Sequence, residues 1–363
     1  MEQFPVNGQL PSSQESVSLE NRYHGKYRGF AAFIICCGIL LAAFAVSAIW
    51  LQKGGNDWLH GLGSFWGGEE TTVGDADGKN DPSPNDSDTD TTSDSNPTDP
   101  EPIPDGAMPV VTLDLTRPDL GQSYIHNETP YNPSVEELLS ERIVFSNVGE
   151  EPLVLIIHTH TSESYLPTET TYIQGVLGDA VYSREEGRNV LSVGRTLCDR
   201  LNQKGITAIH CTVMHDDPTL SGSYSRSEKT VKEYLERYPS IELVIDLHRD
   251  SVTTSRGELV RAATEIDGES VAQVMAVIGT DCNGTPHKSW EENLALALQL
   301  REALNGEGAS LCRPVSLRNA SYHQELAAHA LLLEIGTAAN SIEEAERAAI
   351  LVGDALAILL QER

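Results

Sequence analysis

The chain of 363 residues reads Leu153-Val-Leu-Ile-Ile157-His-Thr-His-Thr-Ser-Glu163 near its middle. The five apolar residues at its start predict a buried β-strand, because a short apolar run is typical of a strand covered on both faces. Two further apolar runs end in the same way: 243–247 is followed by His248, and 330–333 by Glu334. The carboxyl ends of parallel strands lie at the same edge of the sheet, and open α/β sheets bind their ligands at that edge. The three runs therefore predict one site at that edge.

The order of the remaining elements predicts the fold class. Apolar periodicity indicates further strands at 206–213 and 273–280, and helices at 189–204, 225–238, 290–305 and 341–362. Ser341 followed by Glu344 predicts a capping box at the start of the last helix. Residues 109–147 look irregular, as an arm or a short hairpin laid on the core. Strands that alternate with helices predict an α/β domain over 106–363, with a mostly parallel or mixed sheet covered by helices on both faces.

The first third of the chain differs from this domain. Residues 30–51 carry no charge, and a helix of that length spans ~33 Å, enough for a bilayer core of ~30 Å. Three basic residues precede this run and only Lys53 follows it closely. Because cytoplasmic flanks are enriched in basic residues, we expect one transmembrane helix, a cytoplasmic tail at 1–29 and an extracytoplasmic remainder.

Charge separates a linker from the domain and excludes one class of partner. The stretch 69–105 holds 12 acidic residues against one lysine, so 52–105 predicts a disordered acidic linker that cannot bury a core. The domain itself has 38 acidic and 20 basic residues, a net charge of −18. Nucleic acid is excluded as a partner, because phosphate binding requires a basic face. The domain cysteines, Cys198, Cys211, Cys282 and Cys312, lack metal-binding spacing, and their pairing stays open.

The side chains at the predicted edge are those of a catalytic zinc site. His160 and Glu163 have the spacing that places two side chains on one side of a helical or turn segment, and His248 follows a neighbouring strand. Two imidazoles and a carboxylate form an open three-ligand set for Zn²⁺. His158 is an alternative ligand, because side chains two positions apart on an extended segment point the same way. It could instead hydrogen-bond the substrate or a metal ligand. We favour His160, because it is the histidine paired with Glu163.

Other residues have the chemistry to complete the site. Glu334 follows an apolar strand, where desolvation raises the pKa of a carboxyl towards that of a general base. A salt bridge is the alternative role for such a carboxylate. Gly336 beside Glu334 allows close approach of backbone or substrate. Arg249 is a candidate for stabilising a developing oxyanion, although a local ion pair explains it equally well. Asp246 is placed to fix the tautomer of His248, with helix capping as its alternative.

These residues carry a resemblance to a known family. The segments His158-Thr-His-Thr-Ser-Glu-Ser-Tyr165, Asp246-Leu-His-Arg-Asp-Ser251 and 217–227 resemble the stage II sporulation protein P family, membrane-anchored peptidoglycan hydrolases of endospore-forming bacteria. The resemblance covers most of 150–340. It implies cleavage of the amide between N-acetylmuramic acid and the stem peptide, with endopeptidase activity on cross-links. It also implies action during engulfment beside stage II sporulation proteins D and M, between the two membranes of the sporangium.

A more distant resemblance to zinc carboxypeptidases and zinc-dependent N-acetylmuramoyl-L-alanine amidases bears on the roles. It implies that His160, Glu163 and His248 are ligands and that Glu334 is the base. The amidases, however, take their glutamate ligand from a later helix, and Glu185 or Glu186 matches that position.

Two rival functions stay open. A zinc carboxypeptidase that trims stem peptides would need an arginine to clamp a carboxylate, and Arg226 is available. A membrane-tethered wall-binding scaffold would use its metal only structurally. The loop at 166–188 and the segment at 224–227 are candidate walls of a substrate groove, with ordinary surface loops as the alternative.

Overall fold

The computed structural model describes residues 103–116, 124–146, 149, 151–175, 177–306 and 310–361. The chain divides into two units, Met1–Gly67 and Gly68–Arg363, and all described residues lie in the second. The predicted tail, transmembrane helix and nearly all of the predicted linker lie outside the described residues. Within the described part, no helix is long and apolar enough to cross a membrane.

Strands and helices alternate along most of the described part. The strands are β1 Met108–Leu113, β2 Ile125–Asn127, β3 Val154–Ile157, β4 Tyr172–Ile173, β5 Ala208–His210, β6 Leu243–Asp250, β7 Leu259–Ile266, β8 Glu269–Ala272, β9 Val274–Gly279, β10 Val315–Arg318 and β11 His329–Thr337. The α-helices are α1 Val135–Ser140, α2 Leu177–Val181, α3 Val190–Gln203, α4 Ser223–Arg237, α5 Trp290–Leu304 and α6 Ile342–Gln361.

A seven-stranded sheet forms the centre, in the order β2-β10-β9-β11-β6-β3-β5. β11, β6, β3 and β5 run parallel to one another, and β9, β10 and β2 form a second parallel group. The two groups join where β9 pairs with β11 in antiparallel orientation. A smaller sheet, β4-β1-β7-β8, combines parallel and antiparallel pairs. The prediction of a mixed α/β fold is confirmed.

Helices pack on both faces of the large sheet. Alternate residues of β3 point to opposite sides: Val154 and Ile156 join a core with residues of α3, α5 and α6, whereas Leu155 and Ile157 join a core with Val231 of α4. We call these sides the α3 face and the α4 face. The α3 face holds the larger core, and the α4 face carries the site.

The start of α6 forms the predicted capping box. The Glu344 backbone N–H donates to Ser341 Oγ at 3.2 Å, and the Ser341 N–H donates to Glu344 Oε2 at 2.8 Å. The stretch 109–147, predicted to be an irregular arm or a short hairpin, contains β1, β2 and α1. β1 pairs with β4 and β7 and not with β2. No disulfide joins the four cysteines of the described part.

Candidate active site

Three of the predicted residues project from the sheet on its α4 face. His248 on β6 and Glu334 on β11 are direct partners in the parallel register. On β6, His248 and Asp246 point to the same side as Val244, and on β11, Glu334 points to the same side as Ala330. Val244 and Ala330 belong to the core beneath α4. One face of one edge therefore receives an imidazole and two carboxylates from two hydrogen-bonded strands.

Glu163 reaches the same place from the turn after β3. Its Oε2 lies 3.2 Å from His248 Nδ1 and accepts a hydrogen bond from the Arg249 backbone N–H at 3.1 Å. Burial alone would raise the pKa of the Glu163 carboxyl, but the His248 imidazole and the Arg249 guanidinium lower it to about 2. Glu163 is therefore a buried, ionised carboxylate at neutral pH.

Asp246 contacts the other nitrogen of the His248 ring. Its Oδ1 lies 3.0 Å from His248 Nε2, the distance of an ion pair. Thr159 fixes the carboxylate, because its N–H donates to Oδ1 at 2.8 Å and its hydroxyl to Oδ2 at 2.6 Å. Burial would lower the pKa of His248, but Asp246 and Glu163 together raise it well above its ordinary value. The imidazole is thus held between two carboxylates.

Glu334 is the least satisfied group of the site. Its Oε2 is buried and has no hydrogen-bond partner among the described residues. Desolvation, followed by the charge of Asp250, raises the pKa of Glu334 to about 8, against an opposing effect of His248. A carboxyl with these properties is suited to accept and return a proton near neutral pH.

His160 lies across from His248 and beside the amino-terminal end of α4. The two imidazole rings are edge to face, with centroids 5.3 Å apart. His160 Nδ1 lies 3.3 Å from Ser223 Oγ, and the Tyr224 ring packs edge-on at 5.6 Å. Burial lowers the pKa of His160, partly offset by the carboxylate of Glu163. A neutral imidazole is the form that binds a metal.

His158 lies on the α3 face, away from the other candidates. Its Nδ1 contacts the Leu247 carbonyl oxygen at 2.8 Å, and its Nε2 contacts His210 Nε2 at 2.8 Å. The chain leaves β3 in a turn, so His158 and His160 do not share a side as an extended segment would require. We correct the alternative ligand on this ground: both nitrogens of His158 are engaged elsewhere.

The guanidinium of Arg249 also turns away from the site. It donates from Nε to the Ser164 carbonyl at 3.1 Å and from Nη2 to the Val181 carbonyl at 2.7 Å. Its carbon lies 5.2 Å from the centre of the Tyr182 ring. Adjacent residues of a strand point to opposite faces of the sheet, so Arg249 on β6 points away from the face that His248 occupies. The side chain is placed to hold loop backbone rather than an oxyanion.

The remaining alternatives have other partners. Glu186 pairs with Arg195, and Glu185 lies 4.0 Å from Arg188; both glutamates are exposed. Arg226 donates to the backbone carbonyls of three residues, His215, Thr219 and Ser221. Of the glutamates considered as ligands, Glu163 is the one beside His248.

Sequence reasoning missed the contribution of one loop. Tyr322 lies near Tyr224, with ring centroids 6.3 Å apart, and His323 packs on the same ring at 5.3 Å. Both residues have positive φ, +51° and +58°. Backbone of this kind follows from packing and leaves no sequence pattern, so no signal pointed to these residues.

Comparison with known proteins identifies the family. The family model for stage II sporulation protein P matches residues 69–357. The chain belongs to the stage II sporulation protein P family. It is 32% identical over 217 residues to stage II sporulation protein P of Bacillus subtilis (strain 168), an alignment that covers 57% of this chain and 50% of that protein. The aligned region thus spans about half the length of the curated relative.

The structure of this family member is also similar to solved N-acetylmuramyl-L-alanine amidases. The enzyme of Mycobacterium abscessus matches with 14% identity and a TM-score of 0.36, over 59% of this chain and 100% of that one. The catalytic domain of the enzyme from Bacillus (Paenibacillus) polymyxa var. colistinus matches with 13% identity and a TM-score of 0.35, over 58% and 99%.

The residues of this family member fit a zinc ion in chemistry and in part in geometry. Two ligands on a tetrahedral Zn²⁺ with bonds of ~2.0–2.1 Å have donor atoms ~3.3 Å apart, and Glu163 Oε2 and His248 Nδ1 are 3.2 Å apart. Among the described residues, no three His, Cys, Asp or Glu side chains stand in the arrangement of a metal-binding group. Two of the three expected ligand atoms thus have the separation that a shared metal requires.

Proposed function

We propose that this member of the family is a peptidoglycan hydrolase that cleaves the amide between N-acetylmuramic acid and the L-alanine of the stem peptide. The observation that carries the proposal is the buried, unpartnered carboxylate oxygen of Glu334, directly across the strand pair from His248. A proton-accepting group beside a candidate metal centre is the arrangement of a metal-assisted hydrolase. Stem-peptide cross-links are the second bond that we assign to this site.

The proposed cofactor is Zn²⁺, held by His160, Glu163 and His248. The donor set of two imidazoles and one carboxylate is one that catalytic zinc sites use. When bound, the ion supplies Lewis-acid polarisation of the scissile carbonyl and lowers the pKa of water. Asp246, fixed by two hydrogen bonds from Thr159, sets the orientation of the His248 ring.

Glu334 carries the proton in this proposal. Its carboxyl accepts a proton from the attacking water and returns it to the leaving amide nitrogen, so that the amine departs neutral. The pKa of about 8 is raised chiefly by desolvation, which gives the carboxylate a proton affinity suited to both transfers near neutral pH.

Among the described residues, no contact at the site supports a stem-peptide carboxypeptidase. That function requires a cation free to bind a terminal carboxylate, and the Arg226 guanidinium donates to backbone carbonyls instead. The wall-binding scaffold differs from both hydrolases in predicting no turnover at all.

We propose the cellular setting on the sequence alone. The uncharged run at 30–51 would anchor the chain in the cell membrane, with the tail in the cytoplasm and the catalytic domain outside. The acidic linker would let the domain reach peptidoglycan at a distance from the membrane. Stage II sporulation proteins D and M are the proposed partners during engulfment.

The test uses the full-length chain in mild detergent with added zinc and purified peptidoglycan. New chain ends are identified by mass spectrometry for the wild type, Glu334→Gln and the matched control Glu343→Gln, an exposed glutamate at the start of α6. We expect the wild type and Glu343→Gln to release free stem peptides and leave unsubstituted glycan. Glu334→Gln should retain zinc and lose activity by about 1,000-fold.

Other products would change the assignment. Stems shortened at their carboxyl ends and still attached to glycan would identify a carboxypeptidase. Opened cross-links without free stems would identify an endopeptidase. Zinc binding without any cleavage by the wild type would favour the scaffold.

A further inference from the structure

The site contains a tyrosine to which the preceding mechanism gives no role. Tyr224 is the second residue of α4, and its ring stands edge-on to His160, at 89° and 5.6 Å between centroids. Its neighbour Ser223 is in contact with the same imidazole. Tyr224 therefore lies against a proposed zinc ligand.

The phenol of Tyr224 is buried near the charged groups of the site. Burial is the main cause that raises the pKa of this phenol well above its ordinary value, and the charges of Asp246, Glu334 and Glu163 raise it further. Among the described residues the hydroxyl makes no hydrogen bond, so the O–H is available as a donor.

A strained loop holds the tyrosine in this position. His323 Nε2 contacts the Tyr224 carbonyl oxygen at 2.9 Å, and the two rings pack at 5.3 Å. His323 and Tyr322 are consecutive non-glycine residues in the left-handed region, a conformation that persists only where the surrounding structure imposes it. Gln324 supplies that restraint, because it accepts from the Gly279 N–H and donates to the Val277 carbonyl, each at 2.8 Å.

The site requires a donor that the predicted residue does not provide. Attack on an amide carbonyl develops negative charge on its oxygen, and a fixed hydrogen-bond donor aimed there lowers the barrier. The Arg249 guanidinium is bound to the carbonyls of Ser164 and Val181 instead. On the α4 face, Tyr224 offers a neutral O–H that needs no counterion.

We infer that the Tyr224 hydroxyl is a catalytic group that donates a hydrogen bond to the scissile amide oxygen as negative charge develops on it. The inference rests on the proposed function and adds a residue to it. The hydroxyl keeps its proton throughout, so no bond of Tyr224 forms or breaks. Tyr322 and His323 act through Tyr224 as positioning residues.

The experiment compares Tyr224→Phe with Tyr234→Phe in the full-length, zinc-loaded chain, measured as stem-peptide release. Tyr234 lies on the same helix and packs in the core beneath it, so the chemical change is matched outside the site. We expect kcat of Tyr224→Phe to fall about 100-fold, with KM and zinc content within about threefold of the wild type. Tyr234→Phe should match the wild type.

A second variant separates a missing donor from a disturbed fold. Replacement of Tyr224 by 4-aminophenylalanine keeps the ring and an N–H donor, and it should recover at least about 10-fold of the activity lost in Tyr224→Phe. Wild-type kcat in Tyr224→Phe would overturn the inference alone, as would an equal loss in the phenylalanine and aminophenylalanine variants. Failure of the wild type to release stems would overturn the proposed function and this role with it.

Discussion

The two faces of the large sheet both carry buried polar side chains at the same edge, but they differ in how those side chains are satisfied. On the α3 face both nitrogens of His158 have partners. On the α4 face Glu334 Oε2 is buried and has no hydrogen-bond partner among the described residues. Buried polar groups are normally satisfied, so the exceptions require an explanation. The comparison indicates that one face uses its histidine for the fold and the other reserves polar atoms for a ligand.

The largest expected difference in activity is between variants of His248 and of His158. His248→Ala removes a proposed zinc ligand, and we expect zinc binding to be lost. Turnover should fall at least about 1,000-fold, because the bound ion would lower the activation free energy by several kcal/mol. His158→Gln breaks structural contacts and should lower the free energy of unfolding by about 1–3 kcal/mol. Its folded fraction should keep zinc and kcat.

Zinc content by mass spectrometry, denaturant unfolding and stem-peptide release distinguish the two variants. If His158→Gln lost zinc while staying folded, the assignment of the two faces would be reversed.

The next effect probes the packing of the α3 face. Gly194 of α3 lies so close to His158 that a Cβ would stand 2.6 Å from its Cε1 and 2.8 Å from His210 Nε2. Gly194→Ala should therefore cost about 2–3 kcal/mol of stability by overpacking, despite the better helix propensity of alanine. Gly187→Ala, where a Cβ meets nothing within 4 Å, is the control.

Chemical denaturation of both glycine variants measures this difference. Equal stability of Gly194→Ala and Gly187→Ala would mean that the histidine pair is loosely packed and can move aside.

The smallest effect is a pH dependence of stability from His210. Burial, followed by the charge of Arg195, lowers the pKa of His210 from 6.5 to about 4. Between these values the unfolded chain binds a proton that the folded chain does not, so stability is fully present above pH ~6.5 and decreases as the pH falls towards ~4. We expect His210 to account for about 1–2 kcal/mol of that decrease.

The free energy of unfolding at pH 7, 5.5 and 4.5 measures the contribution in the wild type and in His210→Gln, which cannot titrate. Parallel pH profiles for the two proteins would show that folding does not lower the pKa of His210.

Much of the fold followed from local patterns. The apolar runs and helical periodicities gave β3, β6, β9, β11, α3, α5 and α6 within a few residues. The hairpin of β7 and β8 was missed, although Asp267 and Gly268, with φ of +54° and +81°, form the Asp-Gly turn typical of two-residue hairpins. The pairing of β10 between β9 and β2 depends on distant segments, and no local pattern specifies it.

The site was predictable to the extent that it follows strand alternation. Strand alternation along β6 places Arg249 on the opposite face from His248. The same alternation, continued from Val154 and Ile156 of β3, places His158 on the α3 face. The sequence therefore contained the reason for both corrections. The position of Tyr224 was not predictable in this way, because it depends on the strained backbone at Tyr322 and His323.

The position of β11 has a consequence for biosynthesis. β11 is the fourth of seven strands in the large sheet and comes later in the chain than the other six. Before the ribosome has made β11, the strands β2, β10 and β9 have no strand to join them to β6, β3 and β5. Glu334, the proposed base, is also absent at that stage, because it lies on β11. The proposed hydrolase activity would therefore be absent from every incomplete chain, with no inhibitor needed until translation of this strand is finished.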